Sequence, residues 1–152
     1  MNDKELWELF RREHPDAGAD YQAWAFGGNP DKLAELVLAG IKTATASAYP
    51  LYAIDGEPLP KVGEYSVILD SREAAVCVIR TTRVSVLPFD QVTEKHAWLE
   101  GEGDRSLSYW REVHREFFTA CMAEAGQMFD EKMPVVCEEF ELLFAPPEKA
   151  GG

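Results

Sequence analysis

Histidine and cysteine are scarce in this sequence, three of each. Cys77, Cys121 and Cys137 lie far apart among apolar residues, with no Cys-x-x-Cys pair, so they read as reduced, buried thiols and not as a disulfide framework or a zinc site. His14, His96 and His114 stand apart from one another and from any Ser/Asp or Cys context. They read as surface or packing residues, with His96, close to an acidic loop, the one to watch. Cations are few as well: 15 Lys and Arg against 27 Asp and Glu, a net charge of −12. A chain this acidic repels a phosphate backbone, which argues against extended duplex nucleic acid as a partner. A nucleoside or a short single strand needs only a local cluster of cations, for which Lys42, Lys61, Arg80, Arg83 and Arg105 are available. No apolar run is long enough to span a bilayer, so no membrane segment is expected. Met1-Asn2-Asp3-Lys4-Glu5 lacks the basic region and apolar core of a secretory leader, which makes the cytoplasm the expected location. The glycines match neither a dinucleotide fingerprint nor a P-loop.

What is present is the composition of an ordinary globule: 152 residues, 46% hydrophobic and 28% charged, enough to bury one core without staples. Residues 1–152 read as a single domain, with an N-terminal helix over 1–15, a core over about 20–144 and a frayed tail over 145–152. Asn2 or Asp3 caps the first helix, which buries Leu6, Leu9 and Phe10 with Trp7 beside them and stops at His14-Pro15. Residues 16–30 read as a connector whose Tyr21, Trp24 and Phe26 plug one end of a core or stack on a base. Pro30 opens a second helix, through Leu33, Leu36 and Val37, that Gly40 caps.

Residues 49–63 read as an irregular loop. Residues 64–69 form a strand, 70–73 a hairpin turn, and 74–87 a long strand that bends at Thr81-Thr82-Arg83. A helix over 89–99 and an acidic loop follow. Asp104 then caps a helix with Leu107, Trp110, Val113, Phe117 and Cys121 on its apolar side, ended by Gly126. The last strand covers 134–144, with Val136, Phe140, Leu142 and Phe144 on one face. Strands without long helices between them point to a curled antiparallel sheet and not to βαβ units.

The candidate for chemistry is Gly40-Ile41-Lys42-Thr43-Ala44-Thr45-Ala46-Ser47. Hydroxyl and alanine alternate, so Thr43, Thr45 and Ser47 share one strand face and Ala44 and Ala46 the other. So small a face suggests close approach by something, a ligand being one such thing. Lys42 and Thr45 form a candidate base and nucleophile pair in the manner of Ser-Lys hydrolases. Strict strand geometry would put them on opposite faces, so the pair requires Lys42 to sit in the turn after Gly40. Glu100, Glu102 and Asp104 alternate as a metal loop might, but the rest of a calcium-hand pattern is missing. They read as solvated or capping acids, one of them available as a general acid. No metal or cofactor is expected.

Trp24-Ala25-Phe26-Gly27, Gly40-x-Lys42-Thr43-Ala44-Thr45-Ala46-Ser47, Pro60-Lys61-Val62-Gly63 and Gly101-Glu102-Gly103-Asp104-Arg105-Ser106-Leu107-x-Tyr109-Trp110 together resemble the ASCH family over about residues 20–144. The resemblance implies an α+β fold: a small curled antiparallel or mixed β-barrel, PUA-like, flanked by about four helices. It also implies a role in RNA metabolism. Small bacterial members hydrolyse the acetamide of N4-acetylcytidine, and their lysine, threonine and glutamate fall on Lys42, Thr45 and Glu100, with Glu102 competing for the last place. The remaining residues expected around a substrate are Trp24, Phe26, Thr43, Ser47, Tyr49, Arg105 and Ser106. Compared with the smallest members the chain has an additional N-terminal helix, a longer loop before Lys61 and an added helix over 104–126.

The implied activity is hydrolysis of an acylated nucleoside without a cofactor. The alternatives are a module that binds nucleotides or short single-stranded RNA, and a ribonuclease using Lys42, Tyr49 and Ser106. Replacing Lys42, Thr45 or Glu100 is expected to remove turnover while lowering the melting temperature by no more than a few degrees.

Overall fold

The computed structural model describes residues 1–146. The tail expected over 145–152 therefore falls, from residue 147 on, outside the described residues.

Helix α1 (Asp3–Glu13) begins with a capping box: Asn2 Oδ1 accepts from Glu5 N at 2.9 Å and Glu5 Oε1 from Asn2 N at 2.8 Å, which satisfies donors that a helix start leaves free. Its Leu6, Trp7 and Phe10 pack on Val67 and Val78 of the sheet. Strand β1 (Gln22–Ala25) follows, inside the stretch expected to be a connector. With one aromatic, two alanines and no β-branched residue it has little strand propensity of its own. Its parallel partner β3 supplies the strand, with Ala23 opposite Val67.

Helix α2 (Pro30–Leu38) leads to strand β2 (Ala44–Ala48), helix α3 (Tyr49–Asp55) and strand β3 (Tyr65–Leu69). Helix α3 stands where an irregular loop was expected. Pro50 and Asp55-Gly56 read as turn punctuation, but here Pro50 occupies the first helical turn and Gly56, at φ +67°, closes the helix, the positions helices favour for these two residues. Strand β4 (Ala75–Pro88), helices α4 (Glu94–Glu100) and α5 (Leu107–Glu124), and strand β5 (Pro134–Phe144) complete the chain. Residues 89–91 form a separate 3₁₀ turn ahead of α4. The cap of α5 is Ser106, whose Oγ accepts from Tyr109 N at 3.1 Å; Asp104, expected in that role, accepts instead from Ser106 N at 2.9 Å.

The sheet order is β1-β3-β4-β5-β2, antiparallel except for the β1–β3 pair. It is a mixed sheet curled into a half-barrel with five helices around it. The β4–β5 ladder shifts register between Thr81 and Arg83, where the sequence signalled a bend, and such an irregularity sharpens local twist. Curling brings the two edge strands, β1 and β2, to opposite walls of one cavity. Along β5, Val136 and Phe140 are buried as expected, whereas Leu142 is 39% exposed. Ala46 and Ala48 lie against the aromatic cluster of Phe89, Trp110 and Phe118. The small face of β2 thus packs against this cluster, and Ala46 and Ala48 also border a cavity.

Candidate active site

After α2 the chain turns at Gly40 (φ +77°), and both Ile41 N and Lys42 N donate to Leu36 O, at 3.0 and 3.1 Å. Lys42 is therefore in the turn and free of strand alternation, the condition for sharing a site with Thr45. Both line a cavity of about 980 Å³ bounded by β1, β2, α3 and α5. The Thr45 hydroxyl has no hydrogen-bond partner among the described residues.

Lys42 is 1% exposed. Its Nζ donates to Ala44 O at 2.8 Å and Glu102 Oε2 at 2.9 Å, and shares its remaining N–H between Glu100 Oε1 at 3.4 Å and Glu100 O at 3.5 Å, so the three N–H bonds of an ammonium are all engaged. The Phe26 ring lies 5.2 Å from the same nitrogen. Glu100, also 1% exposed, receives Trp110 Nε1–H at 2.6 Å and His96 Nε2 at 2.7 Å on Oε2, with His114 Nε2 at 3.5 Å from Oε1. Burial pushes its carboxyl up, but the Lys42 charge and the hydrogen bonds from His114 and His96 outweigh burial and hold it well below the usual carboxylate range. For His114 burial works downward, and the Glu100 carboxylate overrides it and raises the imidazole.

Both glutamates that competed for the catalytic place therefore face the cavity. Glu100 is sealed in; Glu102, with an 18% exposed side chain, is the one that touches solvent. Their loop is pressed into place. A Cβ at Gly101 (φ +72°) would stand 2.5 Å from Ile41 O, so only glycine fits that approach. Arg105 donates to Trp98 O at 2.9 Å and stacks on the Trp98 ring at 3.7 Å. Glu100, Glu102 and His114 bring ligand atoms within 4.8 Å of one another. The Lys42 ammonium already bridges the two carboxylates, so a metal ion there would meet its repulsion. Asp104 turns away to Ser106.

Of the expected substrate residues, Trp24, Phe26, Ser47 and Glu102 line the cavity with Lys42, Thr45 and Glu100. Four stand outside its lining. Thr43 bonds Leu99 O through its backbone N at 2.7 Å and its hydroxyl at 3.3 Å, fastening α4 to the sheet. Tyr49 is 40% exposed, Ser106 caps α5 and Arg105 clamps the loop. Of the ribonuclease candidates, Lys42 lines the cavity and Tyr49 and Ser106 do not. Lys61, Arg80, Arg83 and Arg105 likewise do not line the cavity.

Tyr52 was not foreseen; its hydroxyl meets Ser47 Oγ at 2.6 Å inside the cavity. His96, the histidine to watch beside the acidic loop, and His114, expected to be a surface or packing residue, are both partners of Glu100. The i, i+4 spacing of His96 and Glu100 in α4, and of Trp110 and His114 in α5, was the available signal. Burial pushes the Cys77 and Cys137 thiols up to about 12, in keeping with inert, reduced cysteines.

A model of the ASCH domain matches residues 22–144. The chain belongs to the ASCH family. An ASCH domain from Lactobacillus crispatus JV V101, known as a crystal structure, is 34% identical with a TM-score of 0.85, over 91% of this chain and 92% of its own. Protein EF3133 from Enterococcus faecalis V583 is 35% identical with a TM-score of 0.88, over 98% and 92%. The hypothetical protein PH0355, 20% identical with a TM-score of 0.55 over 80% of this chain and all of its own, shares the fold alone. No curated protein matches the sequence. The PUA-like ASCH fold accounts for the curled sheet and the cleft beside the Lys42 turn. Among the described residues, no helix is long and apolar enough to cross a membrane.

Proposed function

We propose that this ASCH protein is a small amidohydrolase acting on an uncharged acylated nucleoside such as N4-acetylcytidine, in the cytoplasm and without a cofactor. The observation that carries the reading is an unpartnered Thr45 hydroxyl in the same cavity as a buried lysine held between two carboxylates. Thr45 Oγ attacks the acyl carbon. Lys42 takes the Thr45 proton as it hands one of its own to Glu102, 2.9 Å away, which resolves the difficulty that an ammonium is no base. The regenerated ammonium protonates the leaving amine, and water releases the acyl group by the reverse path. Glu100, ionised and saturated with donors, holds Lys42 in place and is not the proton shuttle. The shuttle is Glu102.

The cavity's charge supports an uncharged substrate. Its walls carry Asp55, Glu57, Glu64, Glu100 and Glu102 against Lys32 and Lys42, a field that repels phosphate. Trp24 and Phe26, edge to face at 5.0 Å, offer the apolar wall on which a base packs. This weighs against the alternative of short-RNA binding. Incubating the protein with N4-acetylcytidine, its 5′-phosphate and short labelled RNA tests the assignment. Cytidine released from the nucleoside, with little product from the phosphate and no RNA retained, is the expected result. Salt-sensitive RNA binding with no cytidine formed overturns it.

A further inference from the structure

The cavity holds a further buried acid besides those of the Lys42 cluster. Glu138 interrupts the apolar run of β5 and is 8% exposed. Its Oε2 accepts from Thr81 Oγ1 at 3.2 Å, and among the described residues it has no other hydrogen-bond partner. It lines the cavity. Among the described residues its neighbours carry no cation: from β4 comes Thr81, from β2 Thr45 and Ser47, from α3 Tyr52, and from the start of β3 Glu64 and Ser66. Burial in apolar surroundings and the nearby Glu64 charge raise its carboxyl, against the Thr81 hydrogen bond. Glu64 is raised in turn by burial, with Lys61 opposing. A buried acid in such a place keeps its proton more readily than usual. It then shows one O–H donor beside one carbonyl acceptor.

The position of Glu138 relative to the nucleophile is fixed by the ladder, because Thr45 and Glu138 are direct partners across β2 and β5. Cross-strand partners have Cβ atoms about 5 Å apart and side chains on one face. A substrate whose acyl carbon rests at Thr45 must therefore present to Glu138 atoms only a bond or two from the scissile amide. In an N-acylated aminopyrimidine those atoms are the amide N–H and the adjoining ring nitrogen, a donor next to an acceptor, the complement of a carboxylic acid.

We propose that Glu138 is the specificity-determining residue of the cavity, pairing with the adjacent N–H donor and ring-nitrogen acceptor of an acylated aminopyrimidine through both of its oxygens. Ser66, 3% exposed, and the Ser47–Tyr52 hydroxyl pair complete a polar subsite of uncharged groups around it. This rests on the hydrolase reading for the substrate's orientation, but recognition of the base is separable from cleavage.

The test is calorimetric binding of cytidine, which keeps the same edge and cannot be deacylated, to wild type, Glu138→Gln and Glu138→Leu across a pH series from mild acid to mild alkali. Wild type is expected to bind more weakly as pH rises, because the group whose pKa is raised loses its donor on ionisation. Glu138→Gln, which keeps a donor and an acceptor, is expected to bind without that pH dependence. Glu138→Leu is expected to lose about 10- to 100-fold in affinity, the worth of a hydrogen-bonded pair left unmade in a buried site. Should Glu138→Leu fail to fold, the pH profiles of wild type and Glu138→Gln decide.

Affinity that rises with pH would mean that a carboxylate reads a cation, and overturns the proposal. Equal binding by all three proteins, or no binding of cytidine at all, also overturns it. Hydrolysis of N4-acetylcytidine left unchanged in Glu138→Leu sinks this proposal and spares the hydrolase. Glu138-dependent cytidine binding with no hydrolysis does the reverse.

Discussion

Trp110 Nε1 donates to Glu100 Oε2 at 2.6 Å, a contact between α5 and the last residue of α4. With His96, His114 and Lys42 it surrounds a carboxylate that water scarcely reaches. Removing one member of such a group leaves an uncompensated buried charge, which costs about 3–5 kcal/mol. Lys42→Met and Glu100→Gln are each expected to lower unfolding free energy by that order, and the double variant by less than their sum. Urea denaturation measures this. Losses under about 1 kcal/mol for both would show that the cluster is not the buried network described. A loss of no more than a few degrees in melting temperature is therefore predicted for Thr45→Ala, and a larger one for Lys42 and Glu100 variants.

The same cluster makes stability depend on pH. The His114 imidazole is raised in the folded state, so its contribution is complete below about pH 6.5 and is lost as pH climbs through the folded value. Glu100, held low, contributes above about pH 4.3 and loses that contribution as pH falls. Denaturation midpoints of wild type and His114→Gln are expected to differ most in mild acid and to converge in alkali. A gap that widens with rising pH would contradict the direction given for His114.

Gly101 and Gly126 both have positive φ, but only Gly101 has atoms crowded where a Cβ would go. Gly126→Ala is expected to cost about 1 kcal/mol, the backbone penalty alone. Gly101→Ala adds the clash with Ile41 O and is expected to cost about 2–3 kcal/mol. It should also reduce turnover, since Glu100 and Glu102 flank it. Equal thermal shifts in the two variants would show that the approach of this loop to Ile41 is not tight.

Tyr52 and Tyr49 lie three residues apart on α3, one in the cavity and one outside its lining. Tyr52→Phe removes the hydroxyl bonded to Ser47 and is expected to raise KM for the nucleoside by about 5- to 10-fold, the worth of one hydrogen bond. Tyr49→Phe is expected to leave KM unchanged. The reverse pattern would restore the sequence-based choice of Tyr49.

Much of this was legible before folding. The helix ending at Gly40, the turn that frees Lys42, the bend at Thr81-Thr82-Arg83 and the family itself all left local signals. Strand β1 did not, because Gln22–Ala25 becomes a strand only through pairing with β3. Helix α3 was hidden by Pro50 and Gly56, which mark turns and helix ends alike. Within the site, the residues named from the family motif divided according to contacts the motif does not carry. Thr43 and Arg105 fasten α4 and its loop, while Glu138 and Tyr52 enter the cavity from elements whose neighbours are set by sheet curvature. The burial that brings the Glu100 carboxylate against the His114 imidazole is a property of packed elements, and no spacing in one of them announces it.

The most direct measurement is turnover of N4-acetylcytidine to cytidine by wild type, Thr45→Ala and Thr43→Val, followed by chromatography with folding checked alongside. Cytidine from wild type and Thr43→Val, and none from Thr45→Ala, is the predicted result. Equal cytidine from Thr45→Ala, or none from wild type, would contradict the assignment of Thr45 as the nucleophile of a nucleoside amidohydrolase.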